Sequence, residues 1–182
     1  MAWVAVDARA GDYQDALDRL SRFNAKAFDI QEYYAPVELV RGQLEGFLHR
    51  PAEERKAYDA ARMLLEKCVR EHPDDARFHS SLGIAYAGMG RKQDAIREGK
   101  LGVDQMPISR EAMRGLFRAE ELAKIYTMVG ERDAALDILA NLLSIPSPFS
   151  GPGVKLDPAW APLRDMPRFQ ALVANVSTAE SR

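Results

Sequence analysis

Three glycines, each followed five residues later by an alanine, constrain this chain more than any other feature. "GDYQDALDRL" opens at Gly11, "GRKQDAIREG" at Gly90 and "GERDAALDIL" at Gly130, and Ala16, Ala95 and Ala135 complete the pattern. Each stretch leads into apolar residues at helical spacing. Glycine reaches the left-handed region without a Cβ clash, so it ends one helix and redirects the chain into the next. A small residue one turn into the second helix lets two helix backbones approach closely. The pattern therefore predicts antiparallel helix hairpins with their turns at Gly11, Gly90 and Gly130.

The middle copy shows the unit. Phe78, Leu82, Ala85, Tyr86 and Met89 lie on one face of a first helix, and Ala95, Ile96, Gly99, Leu101, Gly102 and Val103 follow along a second, which Pro107 ends. The next copy, "LFRAEELAKIYTMVGERDAALDILANLLSIP", places Leu122, Ala123, Tyr126, Ala135 and Leu139 at the same offsets from its glycine. Its first helix is expected to start near Met106–Ser109, with Ser109 as N-cap. Upstream, Val37, Val40, Leu44 and Leu48 fit one helix and Tyr58, Ala61, Leu65 and Cys68 a second, joined by a longer turn. The resulting division is hairpins at about 2–27, 31–72, 75–107 and 109–145, a loop at 146–156, a cap at 157–176 and a frayed tail at 177–182. The expectation is an all-helical chain of nine or ten helices without a β-sheet.

The tail departs from the repeat. Asp157-Pro158 reads as an N-cap and first helical turn, and Asp165 begins a similar pattern with Pro167. Trp160, Leu163, Phe169, Leu172 and Val173 are placed to seal the last hairpin, because a terminal repeat needs a polar outer face.

The offsets of Leu82-Gly83, Tyr86, Ala95 and Pro107 resemble the tetratricopeptide repeat, with His79 where that pattern has tryptophan and Gly99 where it has a large apolar residue. The resemblance covers roughly residues 2–145. It implies an all-α, right-handed solenoid of antiparallel hairpins with a C-terminal cap. "LDPAWAPLRDMPRFQALV" with the copies before it is similar to the C-terminal repeat arrays of bacterial multidomain regulators, which follow kinase, cyclase or winged-helix domains. An array that starts in mid-hairpin is what a segment of such a longer protein would show.

Little else suggests chemistry. Net charge is −2, with 47% hydrophobic and 29% charged residues, a globular composition without the basic excess of a nucleic-acid binder. The single cysteine, Cys68, excludes an intrachain disulfide, and with no signal or membrane segment evident in the sequence a cytoplasmic location is expected. Gly83-x4-Gly88 has Met89 where a phosphate loop needs lysine, so helix packing accounts for it. Gly151-Pro-Gly153 reads as a connector. His49, His72 and His79 show no metal-ligand spacing. Cys68 lies on an apolar face, and the pairs Glu53-Glu54 and Asp74-Asp75 suit helix starts. The expectation is no enzyme, no cofactor and no metal.

Two features point to a partner. Arg110, Arg114 and Arg118 recur every four residues and form one stripe, either solvated beside Glu111 and Glu121 or a docking strip for an acidic peptide or phosphate. In arrays of this kind the first helix of each hairpin lines a concave groove. Aligned on Gly83 and Ala123, the groove residues are Arg77, Ser80, Ile84 and Gly88, then Phe117, Glu120, Lys124 and Met128. Ser80 and Ile84 stand where chaperone-binding repeats carry a lysine/asparagine carboxylate clamp, which disfavours that role. Phe117 is read as an aromatic anchor outside the core. The chain is read as a non-catalytic protein- or peptide-binding scaffold, the regulatory C-terminal module of a larger bacterial protein. The alternative is a homo-oligomerisation module.

Overall fold

The structure, a computed structural model, describes residue 7 and residues 10–179. Among these it is mostly helical. The α-helices are α1 (Tyr13–Ser21), α2 (Val37–Phe47), α3 (Pro51–Glu71), α4 (Ala76–Gly88), α5 (Lys92–Gln105), α6 (Ala112–Met128), α7 (Arg132–Ser144), α8 (Gly151–Leu156) and α9 (Pro167–Ala179), with a 3-10 helix at Pro158–Leu163. The first expected hairpin, 2–27, lies partly outside the described residues.

The turns carry the architecture. Gly11, Gly90 and Gly130 have φ of +85°, +73° and +83°. Ala16, Ala95 and Ala135 are all fully buried. A fourth turn has the same backbone without the glycine. His49, with φ of 55°, sits between Leu48 and Arg50 as Gly90 sits between Met89 and Arg91. In each of the four the residue after the turn donates to a carbonyl five back: Asp12 to Asp7, Arg50 to Glu45, Arg91 to Tyr86 and Glu131 to Tyr126, at 2.8–3.0 Å. The α2–α3 turn is therefore no longer than the others, which corrects the sequence reading. A histidine in the glycine position hid the equivalence.

Helices pack as sequential neighbours: α2 on α3, α3 on α4, α4 on α5 and α6 on α7, with α6 also lying across both α4 and α5. One close approach is at Gly83. A Cβ there would stand 2.6 Å from Ile125 Cδ1 and 3.0 Å from the Ala95 carbonyl, so the two glycines of Gly83-x4-Gly88 serve packing. Gly88 itself faces the Tyr58 ring, where a Cβ would come within 2.2 Å.

Four expectations fail locally. The chain is not purely helical: β1 (Ala27–Asp29) and β2 (Tyr34–Pro36) pair antiparallel, with Phe28 opposite Ala35. Phe28, Ala35 and Val37 are buried in the core, so the hairpin covers the apolar side of α2 and α4. Helix α6 begins at Ala112, not near Ser109. The Glu111 carboxylate caps it by accepting from the backbone N–H of Met113 and Arg114 at 3.0 and 2.8 Å. The 107–108 backbone crosses that first turn at Gly115, where any Cβ would meet Ile108 at 2.5 Å, so the chain is still turning at Ser109. The 146–156 connector contains α8, because Ser150 caps it and Pro152 occupies a first-turn position where no N–H is needed. Finally, α9 continues past 176 to Ala179, so the part of the expected tail at 177–179 is helical; residues 180–182 lie outside the described residues.

The C-terminal elements close the last pair. Trp160, Leu163 and Phe169 are 1%, 0% and 2% exposed, packed with Val154 and Val173 against Ala123, Ala135, Leu136 and Leu139. Asp157 caps the 3-10 helix, accepting from the Ala159 N–H at 2.9 Å.

Candidate partner-binding face

The face formed by α4 and α6 is where the sequence places a groove. The structure fills much of it with the chain's own segments. The tip between β1 and β2 lies across it, and side chains from both helices take alternate main-chain carbonyls of that tip. Arg77 of α4 donates to Ile30 O at 2.7 Å, Arg118 of α6 to Glu32 O, and Ser81 of α4 to Tyr34 O. Arg77 is fixed by carboxylates on both sides, Asp75 at 2.7 Å and Asp29 at 2.9 Å. The tip is a tight turn, closed by the Ile30 N–H on the Tyr33 carbonyl at 2.9 Å, and the three donors that take its remaining carbonyls read backbone and not side-chain identity.

Between those carbonyls Tyr33 inserts. Its ring meets Phe117 edge-on at 4.8 Å, and Phe117 meets Phe149 of the α7–α8 connector at 5.6 Å. Burial, with the carboxylates Glu120 and Glu121 close by, raises the Tyr33 hydroxyl far above its ordinary range and keeps it neutral.

Beneath Tyr33 lies a charged cluster on α6. Arg118 is 1% exposed and opposes Glu121 at 2.9 Å. Burial pushes the Glu121 carboxyl up to about 7, with Arg118 working against that rise. Lys124 pairs with Glu120 at 2.8 Å and with Asp157 at 3.9 Å. Burial disfavours the Lys124 charge, but these two carboxylates outweigh it and hold the ammonium protonated.

The sequence-predicted residues therefore divide. Arg77, Phe117 and Lys124 do reach this face, and Met128 is exposed at its far end. Ser80 is fully buried toward Gly102 of α5, Ile84 is in the core and Gly88 faces Tyr58. Glu120 is buried in its pair with Lys124. The assigned helix register placed these on the groove, whereas α5 and α3 cover their side of α4. Phe117 is no free anchor, because two aromatic rings already hold it. The arginine stripe is likewise split. Arg110 donates to the Gln105 carbonyl at 3.2 Å and Arg114 pairs with Glu111 at 2.7 Å, while Arg118 is buried. A cleft of about 620 Å³ opens beside the tip, lined by Gln31, Glu32, His72, Asp74, Arg77 and Arg114 among others.

Sequence reasoning missed Tyr33 and Ser81. The adjacent tyrosines of "QEYYAP" just ahead of a proline were the available signal for an inserted aromatic. His79 is buried with Nδ1 against Glu98 at 2.7 Å and Nε2 against the Pro73 carbonyl at 2.9 Å. Cys68 donates weakly to the Tyr34 hydroxyl at 4.0 Å. Among the described residues no group of three or more His, Cys, Asp or Glu is placed to hold a metal ion, and no helix is long and apolar enough to cross a membrane.

No family model matches the chain, no curated protein is detectably similar to it, and no solved structure matches it.

Proposed function

We propose that the chain is a non-catalytic scaffold for protein or peptide partners, built as a tetratricopeptide-like solenoid of helical hairpins and serving as the regulatory C-terminal module of a larger, cytoplasmic bacterial protein. The four equivalent turns at Gly11, His49, Gly90 and Gly130 support the repeat reading. The observation that carries the functional reading is the row of donors Arg77, Arg118 and Ser81 on the carbonyls of Ile30, Glu32 and Tyr34. This face holds a hairpin turn by its backbone and seats an aromatic side chain between α6 and the connector. A partner segment of the same form, a tight turn with an aromatic residue, meets the same donors and the adjoining cleft.

The test is affinity capture with three baits: the wild-type chain, Tyr33→Ala, which empties the aromatic seat, and Arg77→Ala, which removes an end donor. Capture should rise with the first substitution and fall with the second, while both baits stay folded by circular dichroism. Identical capture by all three removes this face from the account. A concentration-independent dimer in light scattering, with no captured partner, would favour the assembly reading instead.

A further inference from the structure

The repeat is broken at one position, where a carboxylate stands in place of a buried alanine. Five residues after each turn stands a fully buried alanine, Ala16, Ala95 or Ala135. After the His49 turn that place is taken by Glu54. Room for it comes from Gly46, over which the Glu54 carboxylate lies, so that a Cβ there would be 2.8 Å from Oε1. The Glu54 carboxylate makes no hydrogen bond or ion pair among the described residues, and burial raises it above the ordinary range, with His49 acting in the opposite direction. Its place in the first turn of α3 suits the helix dipole, and it leaves the carboxylate facing a cavity with no cation paired to it.

Glu54 lines a cavity of about 250 Å³ whose other walls include Phe47, Tyr58, Met128, Ala161 and Pro162. Tyr58 is 2% exposed and its hydroxyl makes no hydrogen bond among the described residues. Its ring is wedged between Gly42 and Gly88, each of which would collide with it if it carried a Cβ. Lys124 also lines the cavity, but Glu120 and Asp157 already neutralise it. The unmatched charge at this cavity is therefore negative. The cavity adjoins the far end of the partner-binding face through Lys124 and Met128, but none of the donors to the 30–34 segment is among its walls, so the proposal does not rest on that reading.

We propose that this cavity binds the cationic amine of an amphiphilic ligand, the ammonium against Glu54 and Tyr58 and an aromatic or aliphatic body against Phe47, Met128 and Pro162. The volume is below the roughly 300–1,000 Å³ of pockets for drug-sized molecules, so it takes a fragment-sized amine or one terminal residue of a peptide. The two sources share one chemistry.

The probes are 2-phenylethylamine, the neutral isostere 2-phenylethanol and the tripeptide Phe-Gly-Gly with a free amino terminus, each titrated into the full chain and followed by amide NMR shifts. The amine should bind at least about tenfold tighter than the alcohol, with shifts centred on residues 46–58 and 127–128. Glu54→Gln should abolish that preference. Glu54→Ala, which restores the alanine of the other copies, should raise the melting temperature and eliminate amine binding. Competition by Phe-Gly-Gly assigns the source to a peptide terminus, and binding of the amine alone assigns it to a small molecule. Equal affinity for amine and alcohol, no saturable shift with either amine probe, or a Glu54→Ala chain that melts lower than wild type, would each overturn the proposal.

Discussion

The buried guanidinium of Arg118 on α6 donates to the backbone carbonyl of Glu32 at the β-hairpin tip, while facing the Glu121 carboxylate at 2.9 Å. One side chain thus ties a segment near the N-terminus to the third quarter of the chain. Removing one member of a buried ion pair strands the other, at a cost of about 3–5 kcal/mol. Arg118→Ala is expected to lose that much stability in urea denaturation. Arg114→Ala, four residues earlier and far more exposed, is expected to stay within about 0.5 kcal/mol of wild type.

The turn at His49 holds a non-glycine residue at φ of 55°. The left-handed region costs an ordinary residue about 1–2 kcal/mol. His49→Gly should therefore recover up to about 1 kcal/mol, the gain being reduced by the greater freedom of glycine in the unfolded chain. Gly130→Ala, with φ of +83°, should lose a similar amount. Thermal melts of the two variants in opposite directions would establish that the four turns are equivalent.

Aromatic packing should separate the cap from the face. Trp160 is 1% exposed, and Trp160→Ala is expected to cost about 3–5 kcal/mol. Deleting 155–182 removes Phe169 as well and should promote association by baring α7. Phe117→Ala loses its contacts with Tyr33 and Phe149 and should cost about 1–2 kcal/mol, since it is half-buried and each ring pair adds about 0.5–1.5 kcal/mol. Calorimetry on the three variants distinguishes these cases, and an unchanged melting temperature after the deletion would show that the tail merely trails.

Stability should fall as pH rises from about 4.5 to about 7, and further as pH passes the raised value of His79. The hydrogen bond from His79 to Glu98 raises the imidazole above its ordinary 6.5, against the opposing effect of burial. A raised folded value means the folded state binds the proton more tightly. His79 therefore contributes its full stability below about 6.5 and loses it as pH rises through the raised value. Glu121 acts in the same direction. Its carboxyl, ordinarily at 4.5, titrates near about 7 when folded, so its contribution declines between those two values. Urea melts across this range should show the decline, and His79→Gln should flatten its upper part.

Much of this fold is legible where the physics is local. A positive φ favours glycine and a close helix contact favours alanine, so Gly90 with Ala95 and Gly130 with Ala135 announce their turns. The His49 turn escaped notice because its strain is borne by a residue that does not advertise it. Strands of three residues, such as Ala27–Asp29, are too short to show alternation, and their pairing depends on residues several positions away. The face was legible in its location, through Arg77, Phe117 and Lys124, but not in its occupancy. Nothing near Arg118 in sequence signals a partner at Glu32, and a cap at Glu111 instead of Ser109 follows from the backbone crossing at Gly115.

The central claim is that the α4–α6 face binds a hairpin turn through its backbone, and titration of a peptide in trans tests it most directly. A labelled peptide of residues 27–36 is added to a chain whose residues 30–33 are replaced by Asn-Gly, a two-residue turn that removes the carbonyls of Ile30 and Glu32 and the Tyr33 ring, and binding is followed by fluorescence anisotropy. The account predicts saturable binding that is weakened at least about tenfold by Arg77→Ala and is absent with the wild-type chain, whose own tip holds the seat. Equal binding to wild type and variant, or binding indifferent to Arg77, would contradict it.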